Sequence, residues 1–127
     1  MESPSAAGAR ILIVDDEPSI RDLLMRLLSK SGYAVSVADT GEAALEALVA
    51  GKFDAVMVDK NLPGIGGLDV LRAIGEKYPD TLSIMMTAFP SAQAEADARA
   101  LGARGFVVKP FAIRDVLRTV ADVLRDR

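Results

Sequence analysis

The chain has neither cysteine nor histidine among its 127 residues. Without cysteine there is no disulfide framework, no thiolate metal site and no thiol nucleophile, a usage that suits a reducing compartment. Without histidine the commonest general base and the commonest zinc ligand are missing. Any chemistry here runs on carboxylate, hydroxyl and ammonium groups. Long apolar runs are missing too: the longest are strand-sized, far short of the roughly 20 residues a membrane span needs. Residues 1–9, MESPSAAGA, lack the apolar core of a signal peptide. These absences predict a cytoplasmic protein with no membrane partner. Nor is there a basic stripe. The formal charge is −3, with Lys and Arg scattered along the chain, so the electrostatic footprint of a nucleic-acid binder is lacking and this domain alone is not expected to bind one.

What is present is half hydrophobic and long enough for one domain to bury most of its apolar surface without staples. Residues 1–9 are small and polar without periodicity and read as a disordered tail, leaving 10–127 as the domain. Five short runs read as buried strands, at 10–14, 34–38, 55–58, 82–86 and 106–108. The third is apolar throughout, as expected of a central parallel strand covered on both faces. Ile20, Leu23, Leu24, Leu27 and Leu28 recur at helical spacing and predict a helix with one buried face. Pro18 falls in its first turn, Asp16 or Ser19 is its candidate cap, and Gly32 is its stop. Asp39-Thr40-Gly41-Glu42 offers a cap for a second helix carrying Ala44, Leu45 and Leu48. Leu68, Leu71 and Ile74 mark a third, broken at Tyr78-Pro79. Between Ser91 and Leu101 the alternating alanines form a helix by propensity, but only Leu101 offers a large apolar anchor, so this fourth helix is weakly held. Ile113, Val116, Leu117, Val120, Val123 and Leu124 mark the fifth. Five alternating strand and helix units predict an α/β fold around a parallel sheet.

Four of the five strand runs end in a reactive side chain: Asp15-Asp16, Asp59, Thr87 and Lys109. In such a sheet the C-terminal strand ends lie along one edge, where these folds bind ligands. Residues distant in sequence therefore meet. Taken singly, an acidic pair after a strand is a helix cap, and a strand-end threonine or lysine is ordinary. Together, three carboxylates against one ammonium leave negative charge uncompensated, and like charges at close range raise pKa values or recruit a cation. Oxygen ligands without His or Cys point to a hard metal, Mg²⁺. With a cation and Lys109 present, the crevice favours phosphoryl groups. Asp59, on the central strand, is the carboxylate placed to attack phosphorus and form an acyl phosphate, with Thr87 and Lys109 donating to the phosphoryl oxygens.

The words Ile-Val-Asp-Asp-Glu (13–17), Val-Asp-Lys-Asn-Leu-Pro-Gly (58–64), Met-Thr-Ala (86–88) and Lys-Pro-Phe (109–111) carry a family signature. The chain resembles the receiver domain of bacterial two-component response regulators over essentially its whole ordered length. The resemblance implies a flavodoxin-like, five-stranded parallel sheet in the order 2-1-3-4-5 with five helices on its two faces. It implies a phosphoacceptor regulatory domain rather than an enzyme, catalysing only its own phosphorylation and dephosphorylation. Asp59 would accept a phosphoryl group from a phosphohistidine on a sensor histidine kinase or histidine phosphotransfer protein, a division of labour that the missing histidine fits. Asp16 would ligate Mg²⁺ directly, Asp15 chiefly through water, and the main-chain carbonyl of Asn61 and the Asp59 carboxylate would complete the protein set. Lys109 would pair with the phosphoryl group, next to a cis Lys109-Pro110 bond. Signalling would couple Thr87 to Phe106, a position where Tyr is frequent in the family. Phe106 has no hydroxyl to hydrogen-bond. The exposed faces of the last two helices would receive a second copy or an effector domain, and the first helix, with Arg21 and Arg26 beside the crevice, would dock the kinase. Two rivals follow from the same residues. A degenerate receiver acting as a phosphorylation-independent interaction module is disfavoured because every chemical position is filled. A phosphatase with an aspartyl nucleophile resembles Asp-x-Asp after the first strand, where this chain has Asp-Asp-Glu.

Overall fold

Strand and helix alternate strictly along residues 8–127, which the computed structural model describes. The elements are Arg10–Val14 (β1), Pro18–Lys30 (α1), Ala34–Ala38 (β2), Gly41–Ala50 (α2), Ala55–Asp59 (β3), Gly67–Lys77 (α3), Leu82–Thr87 (β4), Ala92–Ala100 (α4), Gly105–Val108 (β5) and Ile113–Arg125 (α5). All strand pairs are parallel, and the sheet order is β2-β1-β3-β4-β5. The five-unit α/β reading and the implied order both hold. Of the tail expected over residues 1–9, residues 1–7 lie outside the described residues. The Gly8 amide donates to the Gly32 carbonyl at 3.0 Å, and the buried Ala9 accepts from the Ala34 amide at 2.9 Å.

Because successive side chains point to opposite faces of a strand, β1, β3 and β4 feed two apolar layers. Ile11, Ile13, Met57, Ile84 and Met86 pack against α1 and α5, where Leu24, Leu28, Val116, Val120 and Leu124 are buried. Leu12, Val14, Val56, Val58 and Met85 pack against α2, α3 and α4, where Ala44, Leu48, Leu71, Ile74 and Ala98 are buried. From β1 the chain winds out to β2, and from β3 it winds the other way. The winding therefore reverses at the β1/β3 junction, which opens a crevice at the C-terminal strand ends.

Several local expectations shift by a residue or change partner. Strands β3 and β4 run one residue further than their apolar stretches, so Asp59 and Thr87 are the last residues of their strands. The cap of α1 is neither Asp16 nor Ser19 but Glu17, with no side-chain cap bond. Pro18, whose fixed φ suits the first helical position, sets the start there, and the Asp15 carboxylate accepts from the Glu17 amide. Thr40 caps α2 as expected, accepting from the Ala43 amide at 3.0 Å. Leu23, read as part of the buried face of α1, is 41% exposed. Its position at the rim of the apolar stripe turns it towards solvent, as does that of Ile113 on α5. Helix α4 buries only Ala94 and Ala98, with Leu101 partly buried at its end. That is the thin anchorage its composition predicts.

Candidate functional site

Asp15, Asp16, Asp59, Thr87 and Lys109 stand on the ends of four strands or in the loops that leave them. Backbone hydrogen bonds fix those exits: Asp15 donates to the Ala38 carbonyl at 3.2 Å, Lys60 to Met86 at 2.9 Å and Lys109 to Thr87 at 2.8 Å. Each bond runs from one strand exit to its neighbour, so the functional residues inherit the sheet register. The exit of β3 is held also from the α3 side. A methyl group at Gly67 would meet the Asp59 carbonyl oxygen and come within 2.7 Å of the Lys60 Cα. Only glycine lets α3 start so close to the end of β3.

One carboxylate oxygen each from Asp15, Asp16 and Asp59 lie within 4.8 Å of one another. Asp15 is fully buried, Asp59 nearly so, and Asp16 exposed. Lys109, whose side chain is 10% exposed, places its Nζ 2.6 Å from Asp15 Oδ2, 3.4 Å from Asp59 Oδ2 and 3.9 Å from Glu17 Oε1. Burial raises the Asp59 carboxyl above its ordinary value. The Lys109 charge pulls it down, the Asp15 charge pushes it up, and hydrogen bonds from Lys109 and the Asn61 amide oppose the rise. For Lys109 burial disfavours the ammonium, but the hydrogen bond and charge of Asp15 and the charge of Asp59 outweigh it, so its pKa is raised. The two shifts have one origin: an acidic pocket taken out of water that lacks enough positive charge.

This donor set fits a hard divalent cation. The oxygens are close enough to share an ion, no nitrogen or sulfur donor competes, and the Asp16 carboxylate makes no hydrogen bond or ion pair with any described residue. Asp15, by contrast, has both oxygens engaged, Oδ1 by the Glu17 amide at 3.0 Å and Oδ2 by Lys109.

The structure brings Thr87 to the same edge, fully buried, with its Oγ accepting from the Phe89 amide at 3.0 Å. The Phe89 ring is 74% exposed beside it. Phe106 is half-buried and packs on the α2–α3–α4 layer. Asn61 follows Asp59 by two residues in the exposed loop. The Lys109–Pro110 peptide bond is cis. Sequence reasoning missed Glu17 as a member of the lysine's ring of acids. It also missed that the Arg21 guanidinium donates to the Asp15 carbonyl at 2.7 Å. The available signal was spacing: an arginine in the first turn of α1 lies back over the loop that precedes it.

Comparison with known proteins adds a family. The family described as "Response regulator receiver domain" matches residues 11–121. The response regulator MprA of Mycolicibacterium vanbaalenii is 34% identical over 116 residues, which cover 91% of this chain and 50% of that protein. The chain spans about half the length of such curated relatives. Among solved structures, the chemotaxis response regulator CheY4 of Vibrio cholerae superposes with a TM-score of 0.87 at 33% identity, over 92% of this chain and 99% of that one. The response regulator TrrA of Thermotoga maritima, in complex with Mg(2+)-BeF, superposes with a TM-score of 0.82 at 37% identity, over 91% and 98%.

Proposed function

Because this chain belongs to the response regulator receiver domain family, acting in two-component signalling, we propose that Asp59 is its phosphoacceptor and that the remaining crevice residues hold the metal and the phosphoryl group. The observation that carries this reading is the environment of Asp59. It is a nearly buried carboxylate at the end of the central strand, 3.4 Å from a buried ammonium and within reach of two further carboxylates. A carboxylate used only for stability would be fully paired, whereas Asp59 shares its cation with Asp15, which holds it closer.

Asp16 and Asp59 would hold Mg²⁺ directly, the carbonyl of Asn61 would add a ligand, and Asp15 would act through water, since its own oxygens are occupied. When bound, such an ion supplies the positive charge that lets an anionic donor approach three carboxylates. The Asp59 oxygen attacks phosphorus as the bond from phosphorus to the donor nitrogen of a phosphohistidine breaks, and the departing imidazole takes up a proton from solvent. Lys109 is within one side-chain adjustment of Asp59 and would shift its hydrogen bonds to the new phosphoryl oxygens. Thr87 would follow by turning its hydroxyl from the Phe89 amide to the phosphoryl group, leaving space that the Phe106 ring fills. Without a phenolic hydroxyl, that movement is driven by packing alone. The partners on this reading are a sensor histidine kinase or phosphotransfer protein, met through α1 and the crevice mouth. The exposed α4–β5–α5 face would receive a second copy or an effector domain.

The test is labelling with acetyl phosphate and Mg²⁺, read by intact mass. One phosphoryl group should be taken up by the native chain and none by Asp59→Asn. Equal uptake by both would remove Asp59 from the role, and no uptake by either, with beryllofluoride also failing to bind, would favour an interaction module that works without phosphorylation.

A further inference from the structure

Asp16 is the exposed member of the acidic trio and the one without a partner among the described residues. Its carboxylate is therefore positioned through its own backbone. Both peptide groups that flank it are tied. On the far side, the Glu17 amide donates to the Asp15 carboxylate at 3.0 Å. On the near side, the Asp15 carbonyl accepts from the Arg21 guanidinium at 2.7 Å. We infer that Arg21 is a positioning residue for the metal site: it pins the peptide plane before Asp16 and so fixes the direction in which that carboxylate leaves the chain. The inference rests on the metal-site reading above.

Three features favour a tether over a charge partner. Arg21 makes no ion pair with Asp15, Asp16 or Asp59, though it sits in the turn next to them. Its main chain is held in the first turn of α1 by a 3.1 Å bond from its amide to the Glu17 carbonyl, so the side chain links helix and loop. Finally, Asp15 lies at the end of β1, where the strand ladder no longer offers its carbonyl a donor, and a buried carbonyl left unpaired is costly. A charged donor there is short and directional.

The two roles predict opposite signs. As a mere positive charge near the crevice, Arg21 would compete with a cation, and removing it would tighten metal binding. As a tether it organises a ligand in advance, and removing it would weaken binding. The decisive measurement is titration calorimetry of the whole chain with MgCl₂ alone, near neutral pH, with folding checked by circular dichroism. Arg21→Met, which keeps an apolar stem but no donor, should raise the magnesium Kd about tenfold, in the range for groups that orient a ligand. Arg21→Lys, with a cation but no planar fork, should fall between Met and native. Acetyl phosphate labelling of the Met variant should lag at low Mg²⁺ and return to the native rate at saturating Mg²⁺, a split that a general loss of stability would not produce. Unchanged or tighter binding by the Met variant overturns the inference. Should that variant not fold, the Lys variant decides on the same terms: weaker binding supports the tether and unchanged or tighter binding overturns it. If the native chain binds no Mg²⁺, the metal-site reading falls and this inference with it, whereas native binding with unaffected variants removes the tether alone.

Discussion

Asp59 and Lys109 face each other across 3.4 Å under opposite pressures. The Asp59 carboxyl is raised by burial and by Asp15, so the folded chain holds a proton there more tightly than the unfolded chain does. Linkage then requires that stability falls as pH rises through the ordinary and then the raised carboxyl value, and that ionised Asp59 costs stability at neutral pH. Asp59→Asn should accordingly melt higher than native near pH 7, by a few degrees, and the advantage should shrink on acidification. A variant that melts lower at neutral pH would show that the carboxylate is a net stabiliser. Lys109 has the reverse sign. Its raised pKa means that its contribution is fully present at neutral pH and is lost only as pH rises through its folded value, above the ordinary lysine range. Removing it leaves two buried carboxylates without a cation, so Lys109→Met should lose about 3 kcal/mol near pH 7 in denaturant unfolding. The deficit should narrow as the carboxylates protonate, and a constant deficit across that range would mean that lost packing dominates.

At the scale of elements, α4 is the one whose hold on the sheet rests on two buried alanines and a partly buried leucine. The exposed Arg99–Glu95 ion pair at 3.0 Å and Gln93–Asp97 hydrogen bond at 2.7 Å lie within the helix itself, so neither ties it to the sheet. Small contact area makes local opening inexpensive, and Thr87 ends the strand that feeds α4 through a short loop. On beryllofluoride binding with Mg²⁺, hydrogen exchange over residues 88–102 should therefore change more than over α1, which buries Leu24 and Leu28. Equal changes in the two would count against a movable α4. This weakness was legible from the sequence, because alanine has helix propensity without bulk. So were β1, β3 and β4, whose apolar runs leave no other placement, and the reactive side chains at their ends, with Lys109 just past β5. What stayed hidden depended on contacts between backbones. Glu17 as the cap of α1 follows from where Pro18 starts the helix, the exposure of Leu23 from the width of a packed stripe, and the roles of Gly67 and Arg21 from which carbonyl lies nearby. No periodicity encodes which orphaned carbonyl an arginine will find.

For the molecule as a whole, the two layers of core and the reversal of winding between β1 and β3 gather Asp15, Asp16, Asp59 and Lys109 from positions up to 94 residues apart in the sequence. Unfolding disperses them, so an ion that needs several of these carboxylates at once binds the folded state and not the unfolded one. Such binding adds stability as RT ln(1 + [L]/Kd), about 2.7 kcal/mol at a hundredfold excess over Kd, which is several degrees of melting temperature for a domain of this size. Titrating MgCl₂ against a NaCl control of matched ionic strength should raise the melting temperature continuously, without a plateau set by screening. Asp16→Asn, which removes the unpartnered carboxylate, should flatten the response. The effect must also fade with acid, because the ligands bind as carboxylates. Since the Asp59 carboxyl is raised, the fading should begin at a higher pH than an exposed aspartate would impose. A magnesium response that persisted well below the ordinary carboxylate range, or that Asp16→Asn retained in full, would place the ion away from the crevice and separate the acidic cluster from the stability of the fold.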